Sequence, residues 1–146
     1  MNALALIPDS RLATAATELV RDTASELVYH HSRRVHLYGA LRGRAPGLPE
    51  FMEPEVALVT AGVEYDVLGI GYDDPAAVTP EDRAAIVAAH PRPDFKRRIL
   101  EAFAEGIAPR PDTTFGDVKA DVLRHYVPGF TPGDFVDTIR NSAWPE

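Results

Sequence analysis

The chain contains no cysteine among its 146 residues. That absence excludes disulfides, cysteine-ligated zinc and a thiol nucleophile, and it fits a reducing compartment, so a cytoplasmic location is the expectation. A basic surface is missing too. The 15 Lys and Arg are outnumbered by 22 Asp and Glu, and the formal charge of −7 argues against nucleic acid or an anionic membrane as a partner. No apolar run reaches the roughly 18 residues that mark a membrane-crossing helix. The apolar stretch from Ala3 to Ile7 has no basic segment before it and is closed by Pro8-Asp9, so it does not read as a secretory signal. Strict apolar–polar alternation and Asn-Gly hairpin turns are lacking, which leaves little room for strands. There is no glycine-rich phosphate loop, dinucleotide fingerprint, His-Glu-x-x-His pair or nucleophile elbow.

What the chain does have is helical periodicity nearly throughout. The length fits one domain over residues 1–146, and 45% hydrophobic content suits a globular core. A first helix, capped by Asp9 or Ser10, runs to about Glu26 on Leu12, Ala16, Leu19, Val20 and Ala24. A second, from about Leu27 to Leu41, places Val28, His31, Val35, Tyr38 and Leu41 on one face. The Gly- and Pro-rich stretch from Arg42 to Pro54 reads as a loop. Pro54 and Glu55 open a third helix, whose inward face is expected to be Val56, Val59, Val63, Asp66, Val67 and Ile70. After a turn over Asp73 to Val78, Thr79-Pro80 starts a short fourth helix that Pro91 and Pro93 close. Asp94 is the expected cap of a fifth, carrying Phe95, Ile99, Leu100, Phe103 and Ile107. Thr114, with Asp117, caps a sixth striped by Phe115, Val118, Val122 and Tyr126. Thr131-Pro132 begins a seventh with Phe135 and Ile139 facing in. The expected class is all-α, a compact orthogonal bundle of about seven short helices.

Two inward polar residues stand out. His31 shares an apolar helix face, where a histidine serves as metal ligand, general base or hydrogen-bonded core residue. Asp66 lies inside an apolar stripe, and burying a lone carboxylate costs several kcal/mol unless it is paired. Its partner is either structural, such as Arg34 or a helix N-terminus, or functional, such as His31 or a metal ion. His30 and His36 fall off the inward face and are expected at the boundary or in solvent. Lys96, Arg97 and Arg98 form a small basic patch, either a solvated face paired with neighbouring carboxylates or a site for phosphate or carboxylate. Trp144 has no obvious aromatic partner for a cation cage.

The block His31-Ser32-x-Arg34-x-x-x-Tyr38-Gly39 resembles the start of the HD-domain superfamily, in the branch similar to cyanamide hydratase. Glu55 to Val59 and Asp66 to Gly69 are similar to a later helix of those proteins. Segments from Pro91 through Lys96-Arg97, Pro111-x-Thr113-Thr114 and His125-x-Val127-Pro128-Gly129-Phe130 to Phe135-x-Asp137-x-Ile139 look like their C-terminal tail. Together these cover most of residues 8–146. The resemblance implies a helical fold in which His31 matches the first metal ligand and Asp66 the last. The central His-Asp doublet has no match, because no such dipeptide occurs. The chain therefore resembles a reduced HD domain with its doublet helix missing.

Two protein ligands do not make a hydrolytic metal site, so no cofactor is expected unless His30, Glu50, Glu53, Glu64 or another chain completes a divalent-metal set. A core that has lost helices leaves an apolar cleft, which a second copy in a homodimer or a small ligand fills. The expected function is small-molecule proton-transfer chemistry of the hydratase, dehydratase, lyase or isomerase kind, suited to a biosynthetic pathway. His31 and Asp66 form its catalytic dyad, and Arg34 and Tyr38 bind the substrate. The alternatives are a non-catalytic remnant acting as a ligand-binding or dimeric scaffold, and a metal-dependent hydrolase with an atypical ligand set.

Overall fold

Ser10, Ser25 and Thr79 each accept a hydrogen bond from the backbone N–H three residues on, and each opens a helix. The computed structural model describes residues 3–47, 53–70, 74–110 and 118–144. Within them the chain is all-α: seven α-helices in a compact bundle, and no strand among the described residues. After a 3₁₀ turn at Ala3–Leu6 come α1 (Arg11–Thr23), α2 (Glu26–Arg42), α3 (Pro54–Val63), α4 (Pro80–Ala89), α5 (Phe95–Ile107), α6 (Val118–Tyr126) and α7 (Phe135–Arg140). No helix among the described residues is long and apolar enough to cross a membrane.

Several local expectations are revised. The first helix stops at Thr23, because Ser25 caps a new one at Glu26. Asp94 adopts a left-handed backbone and caps nothing; its carboxylate pairs instead with Arg97. The seventh helix starts at Phe135, capped by Asp134 rather than Thr131. The expected sixth-helix cap, with Thr114, Phe115 and Asp117, lies outside the described residues.

The pairing that organises the bundle is α2 against α3, and small residues set it. A Cβ on Gly62 would stand 2.2 Å from the Val35 carbonyl oxygen, and one on Gly39 would stand 2.5 Å from that of Leu58. Only glycine lets the two backbones approach so closely. The buried face of α3 is therefore Ala57, Ala61 and Gly62. The valine stripe expected to face inward, Val56, Val59 and Val63, is exposed. Ile70 is exposed as well, and Phe135 lies in solvent while Ile139 is buried. α1 buries no residue fully, and Leu12 and Leu19 lie in solvent.

α3 does not run straight to its end. At Glu64–Leu68 it widens into a π-helical turn, closed by Gly69 in the left-handed region at φ 75°. The turn buries Tyr65, Asp66, Val67 and Leu68 together. Tyr65 joins one core cluster with Leu37, Tyr38, Leu41, Ile86 and Trp144. Val67 and Leu68 join a second with Phe95, Ile99 and Ile139. Asp66 thus sits at the seam between the two apolar clusters. Trp144 has an aromatic partner after all: its ring meets Tyr38 edge-on at 5.0 Å, with the Arg83 guanidinium 4.7 Å from its centroid.

Candidate functional site: a buried carboxylate shared by His31 and two arginines

Asp66 is 0% exposed, so its carboxylate must be satisfied by protein groups. Three side chains do this. His31 Nδ1 lies 2.6 Å from Oδ2. Arg34 donates from Nε to Oδ1 at 2.6 Å and from Nη2 to Oδ2 at 3.1 Å, a two-pronged pair. Arg92 donates from Nη1 to Oδ1 at 2.7 Å and to the Asp66 backbone carbonyl at 2.6 Å. Two of the expected partners are therefore present at once, with His31 and Arg34 on the same carboxylate. Burial by itself would raise the Asp66 pKa, but the hydrogen bonds from His31 and Arg34 and the charges of Arg34 and Arg92 outweigh it. The carboxyl is held below its ordinary value and stays ionised.

α2 presents His31 and Arg34 one turn apart, so both reach the π turn of the neighbouring helix. Arg34 also donates from Nη1 to the His90 and Pro91 carbonyls at 3.1 and 2.9 Å, which ties the end of α4 to the cluster. The Phe95 ring lies against both guanidiniums, 4.7 Å from that of Arg34 and 4.2 Å from that of Arg92.

Arg34 and Tyr38 were expected to contact substrate, and the structure puts both at 0% exposure. Arg34 is taken up by Asp66 and two backbone carbonyls. Tyr38 packs between Tyr65 and Trp144, and its hydroxyl is buried without a partner among the described residues. Neither lines the cleft at His31. Arg92 is the residue the sequence reading missed. Its one local signal is its place in Pro91-Arg92-Pro93, where two prolines restrict the backbone on both sides.

His31 is the member of the cluster that reaches the surface, with 19% of its side chain exposed. It lines a cleft of about 370 Å³ together with Ser32, Val35, His36, Leu58, Val59 and Val63. Val59 and Val63 of α3 thus form cleft wall rather than core. With Nδ1 on an ionised carboxylate, the ring must donate there. Nε2 makes no hydrogen bond among the described residues and is the nitrogen left for a ligand.

His30 is half-buried and lies on the other side of the cluster, beside Tyr29 and His90. His36 is exposed, as expected. Of the basic patch, Arg97 pairs with Asp94 and Glu101, and Lys96 donates to the Ser142 carbonyl at 2.9 Å. Among the described residues no three of His, Asp and Glu come together as a metal-binding group, and Glu50 lies outside those residues. Comparison of the chain with protein-family models, curated proteins and solved structures finds no match.

Proposed function

We propose that the protein is a small-molecule enzyme that moves a proton, with His31 as general acid–base and Asp66 as the group that orients it. The observation that carries this is the 2.6 Å contact between His31 Nδ1 and an ionised, fully buried Asp66. The carboxylate fixes the ring and leaves Nε2 as the nitrogen that accepts a proton. The cleft walls are mostly aliphatic, which suits a small, largely apolar substrate whose reacting C–H or bound water sits at Nε2. Addition or elimination of water and isomerisation next to a carbonyl are the reactions that one such base serves. Arg34 and Arg92 are positioning residues in this reading, because they act on the ring through Asp66.

The relationship to the HD-domain superfamily belongs to the same proposal. The two positions that resemble its first and last metal ligands bond to each other here. A divalent cation on Asp66 would sit against two guanidiniums, so the donor set favours metal-free chemistry. A cytoplasmic location fits the cysteine-free composition.

The second reading is a non-catalytic scaffold, and one observation favours it. An apolar groove of about 630 Å³ runs between the π turn, α5 and α7, lined by Val63, Val67, Phe103, Ile107, Phe135 and Val136. Homodimerisation is the proposed way of covering it.

The test is deuterium exchange followed by proton NMR. The protein is incubated in heavy water with a panel of small ketones, 2-oxo acids and 3-hydroxy acids. The enzyme reading expects exchange at a C–H beside the carbonyl of at least one compound, falling by about 10²–10⁴-fold in His31→Ala and Asp66→Asn. Absence of exchange across the panel, or exchange that survives in His31→Ala, favours the scaffold.

A further inference from the structure

The Asp66 cluster is unbalanced in charge. Arg34 and Arg92 are 0% and 2% exposed, and among the described residues they share a single buried carboxylate. An uncompensated buried charge is costly, and an excess guanidinium is stabilised by a further anion. Hydrogen bonding shows the same imbalance. Among the described residues Arg92 uses only Nη1; its Nε and Nη2 are buried and have no partner there. Buried donors are nearly always paired in folded proteins, so an arginine with most of its donors unused marks a place built to hold something else.

Arg92 lines a second cleft, of about 240 Å³, between the start of α2 and the turn that leads into α5. Arg34, Arg98 and His30 line it as well, with Phe95 as its apolar wall and Glu26 as its one carboxylate. Arg98 is half-buried and makes no side-chain hydrogen bond among the described residues. His30 Nδ1 is buried and has no partner among the described residues. The basic patch of α5 thus divides: Arg97 is neutralised by Asp94 and Glu101, and Arg98 is not.

We infer that this cleft is a binding site for a small anion, a carboxylate or a phosphate group, held by Arg92 and Arg98 with Arg34 behind them and His30 at the side. Guanidinium groups suit this role because their planar N–H forks match carboxylate and phosphate oxygens. The volume admits one such group on a short carbon chain and is too small for a nucleotide. The cleft shares no lining residue with the one at His31, and the two are joined only through Asp66, which Arg34 and Arg92 hold.

Titration of the full chain with inorganic phosphate, and separately with sodium acetate, tests the inference. Chloride at matched ionic strength is the control. Backbone NMR signals and the melting temperature are read together. The expected result is saturable movement of the signals of His30, Arg92 and Arg98, with a dissociation constant in the millimolar range or tighter, and a rise in melting temperature beyond that given by chloride. Arg98→Gln should weaken binding by about tenfold or more, and His31→Ala should leave it unchanged. The stronger of the two anions identifies the class of ligand. No saturation by either anion beyond chloride, or an Arg98→Gln protein that titrates like the wild type, overturns the inference.

Discussion

His31 and Asp66, separated by 35 positions in the chain, meet through Nδ1 and Oδ2 at 2.6 Å. The contact joins α2 to the π turn that ends α3, and it shares its carboxylate with two arginines. The two partners therefore differ in what they do for the fold. Asp66→Asn keeps the volume but leaves two buried guanidiniums without a counter-charge, and is expected to cost about 3–5 kcal/mol. His31→Ala removes one hydrogen bond from a partly exposed group and should cost about 1–2 kcal/mol. Urea denaturation of the two variants measures the difference, and equal losses would contradict it.

The α2–α3 crossing gives a contrast between glycines. Gly62→Ala puts a Cβ against the Val35 carbonyl, and Gly39→Ala does the same at Leu58. Each should destabilise by about 1–3 kcal/mol, although alanine is the better helix former. Gly106 in α5 has nothing within 4 Å of the added carbon. Gly106→Ala should stabilise by up to about 1 kcal/mol. Thermal unfolding of the three variants is the check.

Acid stability follows from His90. Burial, then the charges of Arg33, His30 and Arg34, push its pKa down from 6.5 to about 4. Between those values the unfolded chain binds the proton and the folded chain does not. Stability is therefore highest above pH 6.5 and falls as the pH drops toward 4, by on the order of 1–3 kcal/mol. Asp66 adds a separate loss at lower pH. Its folded pKa lies below 3.8, so the stability it contributes is present above 3.8 and is lost as the pH falls through the folded value. Urea midpoints measured from pH 7.5 to 4 should show the His90 slope, and His90→Phe should flatten it.

The apolar groove between α5, α7 and the π turn carries the expectation of self-association. Analytical ultracentrifugation should find a dimer at micromolar concentration. Phe135→Lys, at an exposed position on the groove wall, should shift it to monomer without loss of helix content by circular dichroism. A wild-type monomer at every concentration would count against the dimer.

Local chemistry made the helices legible, and long-range packing did not. Ser10 and Thr79 could be read as caps because a cap is a contact over three residues. The inward position of Asp66 was readable from its apolar neighbours, and His31 and Arg34 were among several partners that could satisfy it. The buried face of α3 was misread because hydrophobicity favours a valine stripe, whereas Gly39 and Gly62 allow the closest approach on the other side. Val59 and Val63 then became cleft wall. Arg92 stayed hidden because its pairing with Asp66 spans 26 positions and leaves no periodic trace. The π turn, which adds a residue to the winding and sets where Asp66 points, has no sequence signature of its own.

The proposed chemistry needs Asp66 to hold His31 so that Nε2 is the working nitrogen. Long-range proton–nitrogen NMR of the imidazole in the wild-type protein reads this without knowledge of the substrate. The prediction is that in the neutral ring the proton sits on Nδ1 and Nε2 is bare, and that Asp66→Asn disturbs this pattern. A neutral His31 with its proton on Nε2 and a bare Nδ1 would contradict the account.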